Sequence, residues 1–428
     1  MNAAVGPLYA AAAQLARLGA ALAPRNGSKL LRTFAARRGI RERYAHWSTQ
    51  HRQPDRALLW MHAPSVGEGL QARPVLERLR ARHPELQLAY TYFSPSAERF
   101  AAGLDVDFRD YLPFDAPGDA RAALAALSPR ALVFSKLDVW PVLVREAARR
   151  GVKLGLVSAT LARNSSRDRG LAVMVLRDAY ARLDAVGAID AADAERLVRL
   201  GVREDVIEVT GDTRFDQVWA RAANSGAGQP LVAPLVSERP TLVAGSTWPT
   251  DEAHLLPAFA SWRDAAPGVR LIVAPHEPTP EHLRPIERWA ADARIPLARL
   301  GAPDASTADV VLVDRVGVLG DLYALADVAY VGGAFHSAGL HSVLEPAAFG
   351  VPVLFGPRHE GTRDAGLLLQ ADAAVAVSGR SDLLAALNAW ERDPALRRAA
   401  GLRARGVIER GLGAADRSTR LVERVLGG

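Results

Sequence analysis

The sequence predicts an α/β protein of two doubly wound, Rossmann-like domains in tandem, and three observations carry that prediction. Short apolar runs alternate with amphipathic stretches along the chain after residue 56, the signature of βα units in a parallel sheet covered on both faces. The alternation stops once, at the Gly-, Ala-, Ser- and Pro-rich stretch RAANSGAGQPLVAPLVSERP (221–240), and then restarts. A chain of 428 residues also exceeds one ordinary core and suits two domains of about 150–200 residues.

Taken in order, residues 1–56 form a basic segment. Ten Lys and Arg residues stand there against only Glu42 and Asp55, so this segment holds the whole positive excess of a chain whose net charge is +6. It opens with MNAAVGPLYAAAAQLARLGAALAP, which Gln14 and Arg17 interrupt too early for a spanning helix. Leu8, Leu15, Leu18 and Leu22 recur at helical spacing. That pattern suits a helix lying in a membrane interface beside a patch for anionic lipid; the plainer alternative is a docked helix with a solvated Arg face. Residues 57–220 read as the first Rossmann-like domain, with strands in ALLWMHA (57–63), LQLAYTYF (86–93), ALVFSKL (131–137), KLGLVSA (153–159) and AVGAI (185–189). Residues 221–240 read as a linker. Residues 241–410 read as the second domain, with strands in TLVAGS (241–246), VRLIVAP (269–275), DVVLVD (309–314), VAYVGG (328–333), VPVLFG (351–356) and AAVAV (373–377). A C-terminal helix is expected over 411–428. Two such domains are expected to face a cleft lined by the carboxyl ends of both sheets.

Composition removes several functions. The chain has no cysteine, which excludes disulfides, thiolate catalysis and Cys-ligated metals and points to a reducing compartment. No basic stripe interleaved with aromatics runs through the rest of the chain, so nucleic acid is not an expected partner. No P-loop and no G-x-G-x-x-G after a first strand occurs. Asp105-Val106-Asp107 resembles a metal-binding D-x-D but sits in an alternating stretch before Tyr111-Leu112-Pro113, and is read as strand or loop. No metal site is expected.

The strand ends carry the chemistry-bearing residues. After the first strand comes HAPSVGEG (62–69), where Ser65 to Glu68 spells S-x-x-E. This is either a capping box that satisfies helix N–H groups or a carboxylate delivered to the ligand crevice, with Gly67 leaving room beside it. In the second domain, Gly317, Gly332 and Gly333 permit close backbone approach of a nucleotide, and helix N-termini offer N–H groups to phosphate. His276 can neutralise phosphate charge, and Glu345 can accept both ribose hydroxyls. Ser246-Thr247 can also be a plain helix cap, and Ser342 to Glu345 is a second S-x-x-E.

HAPSVGE, TYFSPSA, YLPFD, VTGDTRFD, AGSTWPTDE and VGGAFHSAGLHSVLEPAAFGVPVLFGP, in this order, resemble the 3-deoxy-D-manno-octulosonic acid (Kdo) transferases that act on lipid A precursors. The resemblance runs from about residue 40 to about residue 370. It implies a GT-B glycosyltransferase that moves Kdo from CMP-Kdo to a lipid A precursor in lipopolysaccharide synthesis, with inversion and without a metal or other cofactor. It implies work at the cytoplasmic face of the bacterial inner membrane, peripheral or weakly anchored through the N-terminus. The family's catalytic base maps onto Glu68. Its CMP contacts map onto Pro275 and His276, onto Val316-Gly317-Val318, and onto Ser342, Val343, Leu344 and Glu345, with Ser246, Thr247, Gly332, Gly333 and His341 beside them. Residues that help stabilise developing charge map onto Lys136 and Arg214. The chain departs from the commoner pattern at Pro275-His276-Glu277, Leu340-His341-Ser342 and Asp138-Val139-Trp140-Pro141, and has Arg214 where a lysine is frequent. Two other readings remain open: a GT-B enzyme or epimerase using a different nucleotide sugar, and a non-catalytic membrane-associated binding protein of the same fold.

Overall fold

Fourteen strands form among the described residues of the computed structural model, which are residues 9, 11, 13, 14, 17, 28–161, 170–224, 228–337 and 339–427. The chain divides into two units, residues 1–217 with 413–428 and residues 218–412. In the first unit, β1 (Leu58–His62), β2 (Gln87–Tyr92), β3 (Phe108–Tyr111), β4 (Ala131–Ser135), β5 (Lys153–Ala159), β6 (Ala185–Ala188) and β7 (Ile207–Val209) form a sheet in the order β3-β2-β1-β4-β5-β6-β7. In the second, β8 (Thr241–Thr247), β9 (Arg270–Pro275), β10 (Leu297–Arg299), β11 (Val310–Leu312), β12 (Val328–Val331), β13 (Val353–Phe355) and β14 (Ala374–Ala376) take the order β10-β11-β9-β8-β12-β13-β14. Every pairing is parallel.

The inner strands are buried along their length, β1, β2 and β4 at every residue, which is why they read as unbroken apolar runs. The strands that the alternation did not single out, β3, β7 and β10, are edges. β7 has no buried residue and β10 only Ala298, so neither needs an apolar run. The Asp105-Val106-Asp107 stretch is the loop into β3. Asp107 there accepts the Leu88 N–H at 2.7 Å and pairs with Arg80 at 2.7 Å, a structural use that leaves the D-x-D no free pair of carboxylates.

Strand order reverses once in each sheet, between β1 and β4 and between β8 and β12. At such a reversal the connections leave in opposite directions and open a crevice at the carboxyl ends of the two strands. The last helix, Ala414–Gly427, packs on β5, β6 and the helix Val66–Arg82 of the first unit. Asp216 holds its start, accepting the Gly413 and Ala415 N–H groups at 2.9 Å each.

The expected N-terminal membrane helix lies almost wholly outside the described residues. Of these, Tyr9 donates to Asp115 at 2.8 Å and Arg17 pairs with Asp119 at 3.4 Å. Several cations assigned to a lipid-facing patch are spent inside the protein. Arg37, 3% exposed, donates to Leu112 O and Thr33 O and lies 4.2 Å over the Phe93 ring. Arg43 forks onto Asp110, Arg41 pairs with Asp119, and Arg52 and Arg56 bind backbone carbonyls. Among the described residues no helix is long and apolar enough to cross a membrane.

Asp115, the last residue of YLPFD, sets the approach to the first crevice. It is buried and accepts the Val142 and Leu143 N–H groups at 3.0 and 2.8 Å. It thereby caps the helix Pro141–Ala148, whose own N-cap Trp140 offers no side-chain cap. Asp115→Ala strands two helix N–H groups and is expected to lower the unfolding free energy by about 2–4 kcal/mol, read by denaturant unfolding.

Candidate functional site

At the reversal of the first sheet, β1 ends at His62 and the chain turns through Pro64 into the helix Val66–Arg82, with Glu68 in its first turn. β4 ends at Ser135, and Lys136 follows with a left-handed backbone (φ 68°) and its N–H on Val157 O at 2.8 Å. That conformation is uncommon for a residue with a side chain. The Lys136 ammonium lies 3.0 Å from Glu68 Oε1, and the Ser65 hydroxyl donates to Glu68 Oε2. The resemblance named the two residues singly, and the structure joins them as an ion pair 68 positions apart.

The S-x-x-E does not act as a capping box. Ser65 occupies the N-cap position but makes no side-chain cap bond, because its hydroxyl goes to the Glu68 carboxylate instead. Two further hydroxyls hold the first turns of that helix by their carbonyls: Ser135 Oγ donates to Glu68 O at 3.1 Å and Thr213 Oγ1 to Gln71 O at 2.7 Å. Gly67 meets only the Ser65 hydroxyl within 4 Å of where a Cβ would stand, so it does leave clearance. The glycine under pressure is Gly69, where a Cβ would lie 2.5 Å from Phe100 Cε1 and 2.8 Å from the Tyr90 hydroxyl. No motif reading distinguished it from its neighbour.

The Glu68 side chain is 17% exposed. Burial by itself pushes its carboxyl up, but the Ser65 hydroxyl, the Lys136 ammonium and the residue's own N–H outweigh this and hold it below the ordinary glutamate range. His62 behind it is fully buried; its Nε2 accepts the Trp140 indole N–H at 3.3 Å, which leaves Nδ1 to donate to Thr91 O at 3.0 Å. Trp140 stacks on Phe93 at 5.5 Å. Arg214 is not part of the Glu68–Lys136 pair. Its Nε and Nη2 fork onto Asp212 Oδ2 at 2.9 and 2.6 Å, and Gln71 Nε2 reaches Asp212 Oδ1 at 3.4 Å.

At the reversal of the second sheet, β8 ends in Ser246 and Thr247 and β12 runs into Gly332 and Gly333. The protein's own backbone requires the glycine pair. A Cβ on Gly332 would stand 2.3 Å from Ser246 O, and one on Gly333, at φ 97°, 2.2 Å from Gly339 O. Gly317, at φ 92°, is different: nothing lies within 4 Å of its Cβ position, and Val316 beside it is 68% exposed. Val318 precedes the short helix Leu319–Leu322. Asp251, fully buried, ties the crevice together by accepting the Trp248 and Gly333 N–H groups and the Tyr330 hydroxyl, each at 2.9 Å. It was legible only as one more acid behind Ser246. Trp248 rather than Ser246 or Thr247 is the N-cap of the helix Pro249–Ala265, and Thr247 Oγ1 donates to Glu252 at 2.8 Å.

Four rings gather at these strand ends. Trp248 stacks on His336 at 4.4 Å and on His276 at 4.8 Å, and His276 stacks on His341 at 4.4 Å. The Trp248 indole N–H donates to His341 Nε2 at 3.2 Å. Burial and the neighbouring His276 push the His341 pKa down. Trp248 stood in the AGSTWPTDE motif without a role, and His336 was given none. Pro275 closes β9 beside Thr247. Ser342 does not cap the helix Leu344–Ala348, whose N-cap is Val343. Glu345 in that helix is pushed up by burial, with Arg221 opposing and Asp321 adding to the shift. Arg221 covers Gly320 and reaches Gly317 O at 3.5 Å. Among the described residues no group of three His, Asp or Glu side chains is placed to hold a metal ion.

A family model described as 3-Deoxy-D-manno-octulosonic-acid transferase (kdotransferase) matches residues 38–217. The 3-deoxy-D-manno-octulosonic acid transferase of Bordetella pertussis is 31% identical over 395 residues, 87% of this chain and 89% of the relative. The chain belongs to the Kdo transferase family. The Haemophilus influenzae Kdo transferase is 26% identical over 329 residues, 75% of each chain. Among solved structures, the UDP-GlcNAc 2-epimerase of Neisseria meningitidis bound to UDP-GlcNAc aligns with a TM-score of 0.62 at 12% identity, over 86% of this chain and 99% of that one. A glycosyltransferase of Rickettsia africae aligns with a TM-score of 0.56 at 11% identity, over 87% and 98%. These two likenesses concern the fold, which is of the GT-B type. Membership in the Kdo transferases makes the chain a glycosyltransferase.

The Glu68–Lys136 pair carries a stability signature. A carboxyl held below its ordinary range contributes stability above the unfolded-state pKa and loses it as pH falls through the folded-state value. Because Lys136 is 44% exposed, screening limits the pair to about 1 kcal/mol or less. Lys136→Met is therefore expected to cost at most that much at pH 7, with the difference from wild type closing as Glu68 protonates; chemical denaturation across pH reads it.

Proposed function

We propose that this Kdo transferase moves Kdo from CMP-Kdo to a lipid A precursor by an inverting single displacement, with Glu68 as general base. The observation that carries the reading is a part-buried carboxylate at the reversal of the first sheet, on the helix that follows β1. The Glu68 carboxylate takes the proton of an acceptor sugar hydroxyl as that oxygen attacks the anomeric carbon of Kdo. The bond from that carbon to the phosphate oxygen breaks on the opposite side, and CMP leaves with the electron pair. A positioned base typically contributes about 10²–10⁴-fold. Charge that gathers on the leaving phosphate needs preorganised positive partners.

In this proposal the second unit holds the donor. His276 and the backbone at Ser246 and Thr247 meet the phosphate, Val316, Gly317 and Val318 lie along the nucleotide, and Glu345 accepts the ribose hydroxyls. The open Cβ side of Gly317 and the absence of any hydrogen bond to the Glu345 carboxylate among the described residues support these roles. Ser342, Val343 and Leu344 carry Glu345 into place, and His341 stands beside His276. Lys136 and Arg214 supply positive charge on the first unit, Arg214 as a guanidinium already oriented by Asp212. The chain works at the cytoplasmic face of the inner membrane, associated peripherally through its apolar, alanine-rich N-terminus.

Calorimetry with CMP and UDP, followed by transfer assays with CMP-Kdo and a lipid A precursor, tests the reading. CMP is expected to bind more tightly and Kdo to be transferred; a preference for UDP contradicts it in favour of another nucleotide sugar. Glu345→Gln is expected to weaken CMP binding about 10–100-fold, the range of hydrogen bonds to a charged group. Since burial raises the Glu345 carboxyl, wild-type affinity falls on acidification at a higher pH than an ordinary glutamate would impose.

A further inference from the structure

A general base works best with a pKa near the working pH, yet Glu68 is held in the opposite direction. Its two carboxylate oxygens are both engaged, Oε1 by the Lys136 ammonium at 3.0 Å and Oε2 by the Ser65 hydroxyl. A carboxylate so occupied is a weak proton acceptor until a partner leaves. The two partners differ in how readily they can go. Ser65, the N-cap of the same helix, is a neutral donor tied to Glu68 by the local chain, and an anion has no net charge there to attract. Lys136 comes from another strand, and its stem is rooted by a left-handed backbone whose N–H is bound to Val157 O. Its side chain is 44% exposed, and among the described residues its ammonium has Glu68 as its hydrogen-bond partner and no other. An ammonium has three donors, so this one can take an anionic oxygen while releasing the carboxylate.

We infer that Lys136 is a substrate-reading latch on the base: an anionic oxygen of a bound substrate draws the Lys136 ammonium off Glu68, and Glu68 gains basicity only when that anion is in place. The inference rests on the proposed role of Glu68 as base. It makes Lys136 a specificity-determining residue, since a substrate lacking the anion meets a base still paired to its lysine. Among the described residues, Tyr90 also interacts electrostatically with Glu68; its hydroxyl lies against Gly69 without a hydrogen-bond partner, and as a neutral phenol it does not compete for the ammonium. Asp138, two residues beyond Lys136, has its carboxylate 3.7 Å from His62 Nε2. The anion is a carboxylate or phosphate oxygen, supplied either by the donor or by a phosphorylated acceptor, and both present the same chemistry to an ammonium.

The test follows the titration of the Glu68 side chain by carboxyl-carbon NMR in the full chain, the resonance assigned by its loss in Glu68→Gln. Spectra are taken without ligand, with CMP-Kdo alone, with a phosphorylated acceptor alone, and with the same acceptor dephosphorylated. In wild type the ligand that carries the anion is expected to move the Glu68 midpoint upward. If CMP-Kdo does so the donor is the source, and if only the phosphorylated acceptor does so the acceptor is. Lys136→Met is expected to start from the raised midpoint and stay there with every ligand, whereas Lys136→Arg, which keeps the charge, behaves as wild type. In turnover, removing the anion from the identified substrate is expected to cost wild type about tenfold or more, the effect of an adjacent opposite charge on a carboxylate, and Lys136→Met clearly less. A wild-type midpoint that no ligand moves, or a Lys136→Met midpoint equal to that of wild type, overturns the latch. Failure of the base assignment looks different: Glu68→Gln would then keep its turnover, whatever the titration shows.

Discussion

Each unit hangs its candidate chemistry on one topological constraint, the single reversal of strand order in a parallel sheet. Parallel strands need crossovers, so all carboxyl ends point the same way and their helices begin on that side. Only between β1 and β4, and between β8 and β12, do the crossovers diverge and leave strand ends uncovered. Glu68 and Lys136 leave from the first pair, Ser246 to Trp248 and Gly332-Gly333 from the second. The rest of each unit keeps those ends in register. Asp115 caps the helix after Trp140, Asp251 binds the turn after β8 to the turn after β12, and the hydroxyls of Ser135 and Thr213 hold the Glu68 helix by its carbonyls.

The electrostatics of the two crevices differ in kind. In the first, a carboxylate and an ammonium hold each other, and the carboxyl is kept ionised at the expense of its basicity. In the second, stacked rings stand beside a buried aspartate, and burial pushes the Glu345 carboxyl up. The two carboxyl groups are thus shifted in opposite directions, Glu68 down by its hydroxyl and ammonium partners and Glu345 up by burial.

The strand-and-helix alternation was legible because inner parallel strands are buried on both faces and must be apolar. The edge strands were not: β7 and β10 are largely unburied and have no such requirement, and β3 carries Arg109 and Asp110 within only four residues. Glu68 and Lys136 were legible as residues but not as a pair, since nothing in spacing tells that β1 and β4 are neighbours. The S-x-x-E pattern misled in both places. At Ser65 the hydroxyl prefers a carboxylate to the helix N–H groups, and at Ser342 the helix starts later. The glycine motif at Gly332 and Gly333 has a backbone reason that the sequence does not show: a Cβ there would meet the Ser246 and Gly339 carbonyls. The contacts of Gly69, Asp251, Trp248 and His336 were not legible, because close approach and ring stacking depend on tertiary neighbours that no local pattern encodes.

The central claim is that the carboxylate at the end of β1 removes the acceptor proton in Kdo transfer. Single-turnover transfer by Glu68→Gln, measured beside its unfolding free energy, tests it most directly. The account predicts a loss of about 10²–10⁴-fold or more in rate, with stability changed by no more than about 1 kcal/mol and CMP binding retained. Turnover near the wild-type rate in a folded, CMP-binding Glu68→Gln would contradict it.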